Sequence, residues 1–364
     1  MSRFIIHVGP GKCGSTSIQN AFASGNAPTL ETTRLHFFAP DEFIDLEEQP
    51  VSDSRLSKLD ALITQVVEGV DIAILSHEFL FQTPRAVGII AERLRRVSDD
   101  VRVIGYVRSQ SSLLISTYSQ WLFRAKSRVD EAVSVIQDAG YSPFVFTGLE
   151  RQFIAAIIDD FHSARQLSGY HLLNLWAGYR RLINAAAPTP ITVGALPKSP
   201  SGTPLLTDFC KRSGLSLKRD AETTHKANPK FQPGLVEVLT EAVARQGAIL
   251  DPHGGNARIQ SLSDNFASVA VPDTKLQAAL SGYVDAYFAA DNVAMTAHFG
   301  LPEDYFIAAQ APDKAAILDV IAVEQARRLT NPAVMKSYYL ALNSALAKAE
   351  MLSVEAKVIN SHYL

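Results

Sequence analysis

Along the first half of the chain, short β-branched apolar runs alternate with stretches whose apolar residues recur every three or four positions. Phe4 to Val8, Ile72 to Leu75 and Val101 to Val107 are runs of strand length. Helical periods separate them: one from about Ser15, one over Ser54 to Glu68 with Leu56, Leu59, Leu62, Ile63, Val66 and Val67 on one face, one from about Pro84 to Val97, and one from about Ser109 to Ala125. Parallel neighbours need a long connection and a helix usually supplies it, so the alternation predicts an α/β fold with a parallel sheet flanked by helices. The runs end in polar residues, at Gly9 to Thr16, at Ser76-His77-Glu78 and at Arg108-Ser109-Gln110. Ligands of open α/β sheets bind outside those strand ends, so three distant segments are expected to meet at one crevice.

The pattern then loosens. Lys126 to Thr147 mixes charges with Gly140 and Pro143 and reads as an insertion or lid over 126–147. Helical periods follow at Leu149 to Phe161 and Tyr170 to Ile183, then a strand at Ile191 to Leu196 and a helix at Gly202 to Arg212. After Pro233 the chain reads mainly as helix, with periodic runs at Leu235 to Arg245, Leu276 to Phe288, Ala315 to Arg328 and Pro332 to Leu352. The expected division is an α/β domain over 1–300 and a helical C-terminal extension over 301–364, which suits a packing annex, a dimer element or part of an acceptor cleft equally.

Composition narrows the classes of partner. A chain of 364 residues, 47% hydrophobic and 20% charged, can bury a large core. Its net charge of −3 gives no global attraction to nucleic acid or to anionic membranes, so an anion site has to be made locally. Two cysteines, Cys13 and Cys210, make no disulfide framework and fit a reducing compartment. The first strand begins within a few residues of Met1 and no later apolar run reaches spanning length. The expectation is therefore a cytoplasmic enzyme with no integral membrane segment; a homodimer is left open.

The most informative stretch runs from Ile5 to Gln19. Its apolar run breaks at Gly9-Pro10-Gly11-Lys12-Cys13-Gly14-Ser15-Thr16-Ser17 and resumes at helical spacing, which reads as strand, glycine-rich turn and helix start. Backbone N–H groups and the helix dipole favour an anion there, and Lys12 adds a full positive charge. In the ATP and GTP loop the lysine follows the last glycine. Here Lys12 precedes Gly14, and Ser15 and Thr16 follow it directly. This G-x-x-K-x-G-[ST]-[ST] order resembles the 5′-phosphosulfate loop of the PAPS-dependent sulfotransferases. A second stretch, Tyr106-Val107-Arg108-Ser109-Gln110-Ser111-Ser112-Leu113-Leu114-Ile115-Ser116-Thr117-Tyr118, is similar to their 3′-phosphate segment, with the arginine, the serine and the Ser-x-Tyr ending in register. It departs from many relatives at Ser109 to Ser112, where they carry acidic or proline residues.

The resemblance implies a P-loop-type sheet, 3′-phosphoadenosine 5′-phosphosulfate (PAPS) as donor, no metal, and a glycan or other small-molecule acceptor. Lys12 would act on the departing oxygen, Gly11, Lys12, Gly14, Ser15, Thr16 and Ser17 would hold the 5′-phosphate, and Arg108 with Ser116 the 3′-phosphate. A base is needed for the acceptor. His77 matches the histidine of aryl and alcohol sulfotransferases, and Glu78 matches the Ser-x-Glu pattern of bacterial and carbohydrate-directed members. Glu78 is the first choice, with His36 a weaker third candidate. Cys13 is read as a residue chosen for size. The basic loop Thr223 to Lys230 could close over a nucleotide, and Tyr118, Trp121, Phe123, Tyr170, Trp176 and Tyr179 could floor a sugar site, although such aromatics are more often core. The remaining histidines have no metal spacing. Two other readings are a P-loop kinase-like enzyme, which lacks its lysine and its magnesium aspartate here, and a non-catalytic nucleotide-binding protein.

Overall fold

A computed structural model describes residues 2–23, 35–38, 45–67, 69–120, 126–161, 173–197, 204–216, 231, 233–246, 273–306 and 313–361. The chain divides into two compact units. One comprises Met1–Arg108, Asn174–Ala227 and Ala290–Phe306, and the other Ser109–Leu173, Asn228–Ala289 and Ile307–Leu364.

The first unit holds a five-stranded parallel sheet. Its strands are β1 (Arg3–His7), β2 (Leu35–Phe38), β3 (Ile72–Ser76), β4 (Val101–Val107) and β5 (Ile191–Ala195), in the spatial order β2-β3-β1-β4-β5. The helices α1 (Ser15–Ala23), α2 (Asp53–Val67) and α3 (Pro84–Arg95) provide crossovers. Three further helices of the unit follow later in the chain among the described residues, Leu175–Ala186, Leu205–Ser213 and all but the first residue of Ala289–Phe299. Central parallel strands are covered on both faces, which is why β1, β3 and β4 read as continuous apolar runs rather than alternating ones. Phe4, Ile5 and Ile6 are buried, as are Ile74 and Ile104 beside them. Register places His7 opposite Ser76 on one side and Ile104 on the other. The connection leaving β1 goes toward β2 and the one leaving β4 goes the opposite way, so β1 and β4 flank the point where strand order reverses. Such a point opens a crevice outside the strand ends.

The second unit is helical among its described residues: α4 (Gln110–Tyr118), α5 (Lys126–Asp138), α6 (Gly148–Ile158), then Pro233–Gln246, Thr274–Tyr287, Lys314–Thr330 and Pro332–Ser361. The stretch read as a loosened insertion is mostly the helix α5, with Val129, Ala132 and Ile136 buried; its short apolar stripe is diluted by charges and so weak in sequence. Every residue of α6 from Gly148 to Ile157 is buried, and a helix covered all round must neutralise the charges it carries. Glu150 pairs with Arg328 at 2.9 Å and Arg151 with Glu241 at 2.8 Å. Thr147 and Glu150 form a capping box at the helix start. The carboxylate of Glu237 accepts the N–H groups of Gly148 at 2.5 Å and Leu149 at 3.2 Å. No helix among the described residues is long and apolar enough to cross a membrane.

Burial pushes the Glu237 carboxyl up to about 7, against the pull of Arg151 and the two helix N–H groups. Between its ordinary value of 4.5 and about 7, the folded chain keeps a proton that the unfolded chain has released. Stability therefore falls as pH rises through that window. Urea unfolding at pH 5 and pH 8 should show the Glu237→Gln variant losing less stability over the interval than the parent chain, by about 2 kcal/mol. Equal losses would contradict this.

Candidate functional site

The turn after β1 is built around two residues with positive φ, Lys12 at 71° and Gly14 at 92°. The Cys13 N–H closes a turn onto the Pro10 carbonyl at 3.3 Å. At Gly14 a side chain would be strained by the backbone and would have to displace the end of the Leu205 side chain. The backbone lies in the left-handed region, and a Cβ would stand 2.4 Å from Leu205 Cδ2. The Gly14 carbonyl accepts from Ser17 N at 3.0 Å and Ile18 N at 3.2 Å, so α1 starts at once. The N–H groups of Ser15 and Thr16 open that helix and have no intrahelical acceptor. Ser15 is 4% exposed, and its buried hydroxyl has no hydrogen-bond partner among the described residues. A buried polar atom of this kind needs an explanation, and an anion seated on the helix start provides one. Thr16 and Ser17 are half-buried on the first turn. Cys13 is covered, and burial pushes its thiol up to about 12, opposed by Arg108; it is a packing residue with no thiolate to offer.

Arg108, at the end of β4, donates from Nη1 to the Lys12 carbonyl at 3.4 Å. The two cationic positions singled out from sequence are thus brought together in the first unit, and the bond runs to the backbone of the strained residue itself. Tyr305 fixes the adjoining strand ends: its hydroxyl lies 3.0 Å from the Val107 carbonyl and 2.9 Å from that of Leu196. The Tyr179 hydroxyl donates to the Tyr106 carbonyl at 2.9 Å, and Tyr106 in turn donates to Asp208 at 2.9 Å.

At the end of β3, Ser76 is fully covered. Its hydroxyl lies 2.7 Å from His7 Nδ1 and 3.3 Å from Gln19 Nε2, which joins β1, β3 and α1 beneath the loop. Burial lowers the His7 pKa to about 3, so this imidazole is neutral at ordinary pH. The next residue, His77, caps the one-turn helix Glu78–Phe81: its Nδ1 accepts the Phe79 N–H at 3.1 Å. With Nδ1 used as acceptor, a neutral imidazole carries its proton on Nε2 and presents a donor there. Glu78 sits half-buried on the first turn of the same helix.

Ser116 lies half-buried on α4, in the second unit. There the start of α4 is held by Asp285, which accepts from Ser111 N at 2.8 Å and from its hydroxyl at 2.6 Å. His36 falls on β2, the strand at the sheet edge. Trp121, Phe123, Tyr170 and the loop from Thr223 to Lys230 lie outside the described residues. Tyr118 and Tyr179 are buried and hydrogen-bonded, as core residues are; half-buried Trp176 contacts the rings of His298 and Phe299. Sequence reasoning missed Tyr305, Asp285 and the His7–Ser76 pair. Only His7 carried a signal, as a polar residue inside an otherwise apolar strand.

No family model matches the chain, and no curated protein matches it. Among solved structures, a sulfotransferase from Alicyclobacillus acidocaldarius is similar at 14% identity and a TM-score of 0.32, the match covering 76% of this chain and 99% of that one. A likeness of that size says nothing about the reaction.

Proposed function

We propose that this chain is a sulfotransferase that moves the sulfuryl group of PAPS to a hydroxyl or amine of an acceptor, a carbohydrate in the first instance. The observation that carries the reading is the Arg108 guanidinium against the Lys12 carbonyl, together with a buried Ser15 hydroxyl that has no partner among the described residues. A guanidinium beside the turn that carries Lys12, together with an oriented helix start, favours an anion, and a nucleotide with phosphates at both 3′ and 5′ positions is a ligand that would use both.

In this reading Gly11, Gly14, Ser15, Thr16 and Ser17 hold the 5′-phosphate through backbone and hydroxyl donors, and Arg108 serves the 3′-phosphate, with Ser116 assigned to it by sequence pattern. Lys12 neutralises charge on the oxygen that leaves sulfur. Sulfuryl transfer asks little covalent work of a protein; alignment and charge neutralisation dominate, as in phosphoryl transfer. The acceptor oxygen or nitrogen bonds to sulfur as the bridging S–O bond breaks, and that electron pair departs with the 5′-phosphate. The acceptor's proton goes to Glu78. His77, whose Nδ1 is engaged by Phe79, serves as a donor rather than as the base. No metal is required by these roles.

Calorimetry should find the adenosine 3′,5′-bisphosphate bound at least tenfold more tightly than ADP, since ADP lacks the group that Arg108 is assigned. Arg108→Ala should remove most of that preference, and Lys12→Ala should cut turnover about a thousandfold with bisphosphate affinity changed far less. Equal affinity for the two nucleotides, or full activity in either variant, would overturn the assignment. The base is tested separately. Glu78→Gln should lower kcat by about a hundredfold or more, while His77→Asn, which keeps an acceptor for the Phe79 N–H, should retain most of it. The reverse ranking would transfer the role to His77.

A further inference from the structure

We propose that the groove between α3 and the helix Leu175–Ala186, on the first unit, is a binding site for an anionic oligosaccharide chain. The groove has a volume of about 720 Å³ and includes Arg85, Arg95 and Arg181 along its length. The helices meet closely at Gly88, where a Cβ would stand 2.4 Å from the Ala185 carbonyl. Arg85 and Arg95 are ten residues apart on α3, about 15 Å along its axis, and Arg181 comes from the facing helix.

The charge of these arginines is held but not cancelled. Arg85 donates to the backbone carbonyl of Glu48 at 2.9 Å, and Arg95 to the Ala186 carbonyl at 3.1 Å and the Thr189 hydroxyl at 2.6 Å. These partners are neutral. Arg181 is exposed and has no ion pair among the described residues. Glu92, the acid in the lining, pairs with Arg96 at 2.6 Å. Close to the head of the groove, the Glu47 carboxylate accepts the Ala86 N–H at 3.0 Å, and the Glu48 carboxylate pairs with Arg55 at 3.1 Å. Three guanidinium groups, two of them fixed in place, therefore line this groove in a protein whose overall charge is −3.

Chemistry selects the occupant. Both walls are helices whose backbone groups bond internally, so an extended peptide finds no edge to pair with. The lining has no aromatic ring on which a base could stack, which disfavours a single-stranded nucleic acid. Sulfate or carboxylate groups spaced along a sugar chain match separated guanidinium forks, and Pro84 and Ile89 offer apolar contact to ring C–H faces. The choice of a glycan rests on the sulfotransferase reading. Glu78 lies six residues before Pro84, at the same sheet edge, so the groove would hold a part of the acceptor chain that is already anionic.

Binding of a fluorescent, fully sulfated oligosaccharide to the full chain tests this, read by anisotropy at two salt concentrations. The parent chain should bind it, more weakly at the higher salt. Arg85→Gln with Arg181→Gln should weaken binding about tenfold, with bisphosphate affinity unchanged, and Arg85→Lys with Arg181→Lys should recover part of it. Arg95 is left intact because it ties the two helices together. No binding by the parent chain, equal binding by the Gln variant, or equal binding of a poly-glutamate peptide or an oligonucleotide would overturn the proposal. Failure of the parent chain to bind the bisphosphate would instead defeat the sulfotransferase reading, and the anisotropy result would stand on its own.

Discussion

The sheet's C-terminal edge depends on a helix that starts on a turn few residues can make. Gly14 completes the turn because its backbone lies in the left-handed region and Leu205 occupies the space where a side chain would be. Lys12 adopts the same region without being glycine, a conformation that costs about 1–2 kcal/mol. The Arg108 contact to its carbonyl offsets part of that cost. The strained residue stands two positions before Gly14, and its carbonyl is held by the guanidinium of Arg108.

Beneath the loop the sheet carries a polar link that a hydrophobic centre would not predict. His7 and Ser76 stand in register on neighbouring strands, and Gln19 of α1 reaches the same hydroxyl. Burial keeps His7 neutral, so the link adds direction without adding charge. It fixes the last residue of β3, and the chain then turns into the one-turn helix capped by His77. Two adjacent titratable residues acquire different chemistry from that turn alone: the imidazole spends one nitrogen on the backbone, and the carboxylate does not.

The sheet was legible in sequence because central parallel strands must be apolar on both faces, and Val101 to Val107 was delimited to the residue. Helix existence was legible for the same reason of periodicity, with ends less well marked: the helix read from Tyr170 starts at Leu175 behind the Asn174 cap, and the one read to Leu352 runs to Ser361. The helix Lys126–Asp138 was hidden because charges interrupt its short apolar stripe, and Ala289–Phe299 because it follows another helix without a break in pattern. The partition into units was not legible: both are assembled from stretches far apart in the chain, and no local composition records which helices touch. Within the candidate site, Lys12 and Arg108 stood out since glycines and hydroxyls flank one and a strand end carries the other. Tyr305 could not, because its work is done by a single hydroxyl almost two hundred residues from the strand that it ties.

Arginine partners separate structural charge from available charge across the molecule. Arg3, Arg93, Arg102, Arg151, Arg212 and Arg328 each meet a carboxylate, and each is largely neutralised where it stands. Arg85, Arg95 and Arg108 are tethered to carbonyl or hydroxyl oxygens instead. A neutral acceptor fixes the position of a guanidinium and takes one or two of its five donors without cancelling its charge, which a lysine with its flexible stem and compact head does less well. In a chain whose net charge gives no help in attracting anions, positive potential has to be concentrated at chosen places. Arginines anchored on neutral oxygens at the end of β4 and along α3 are suited to that.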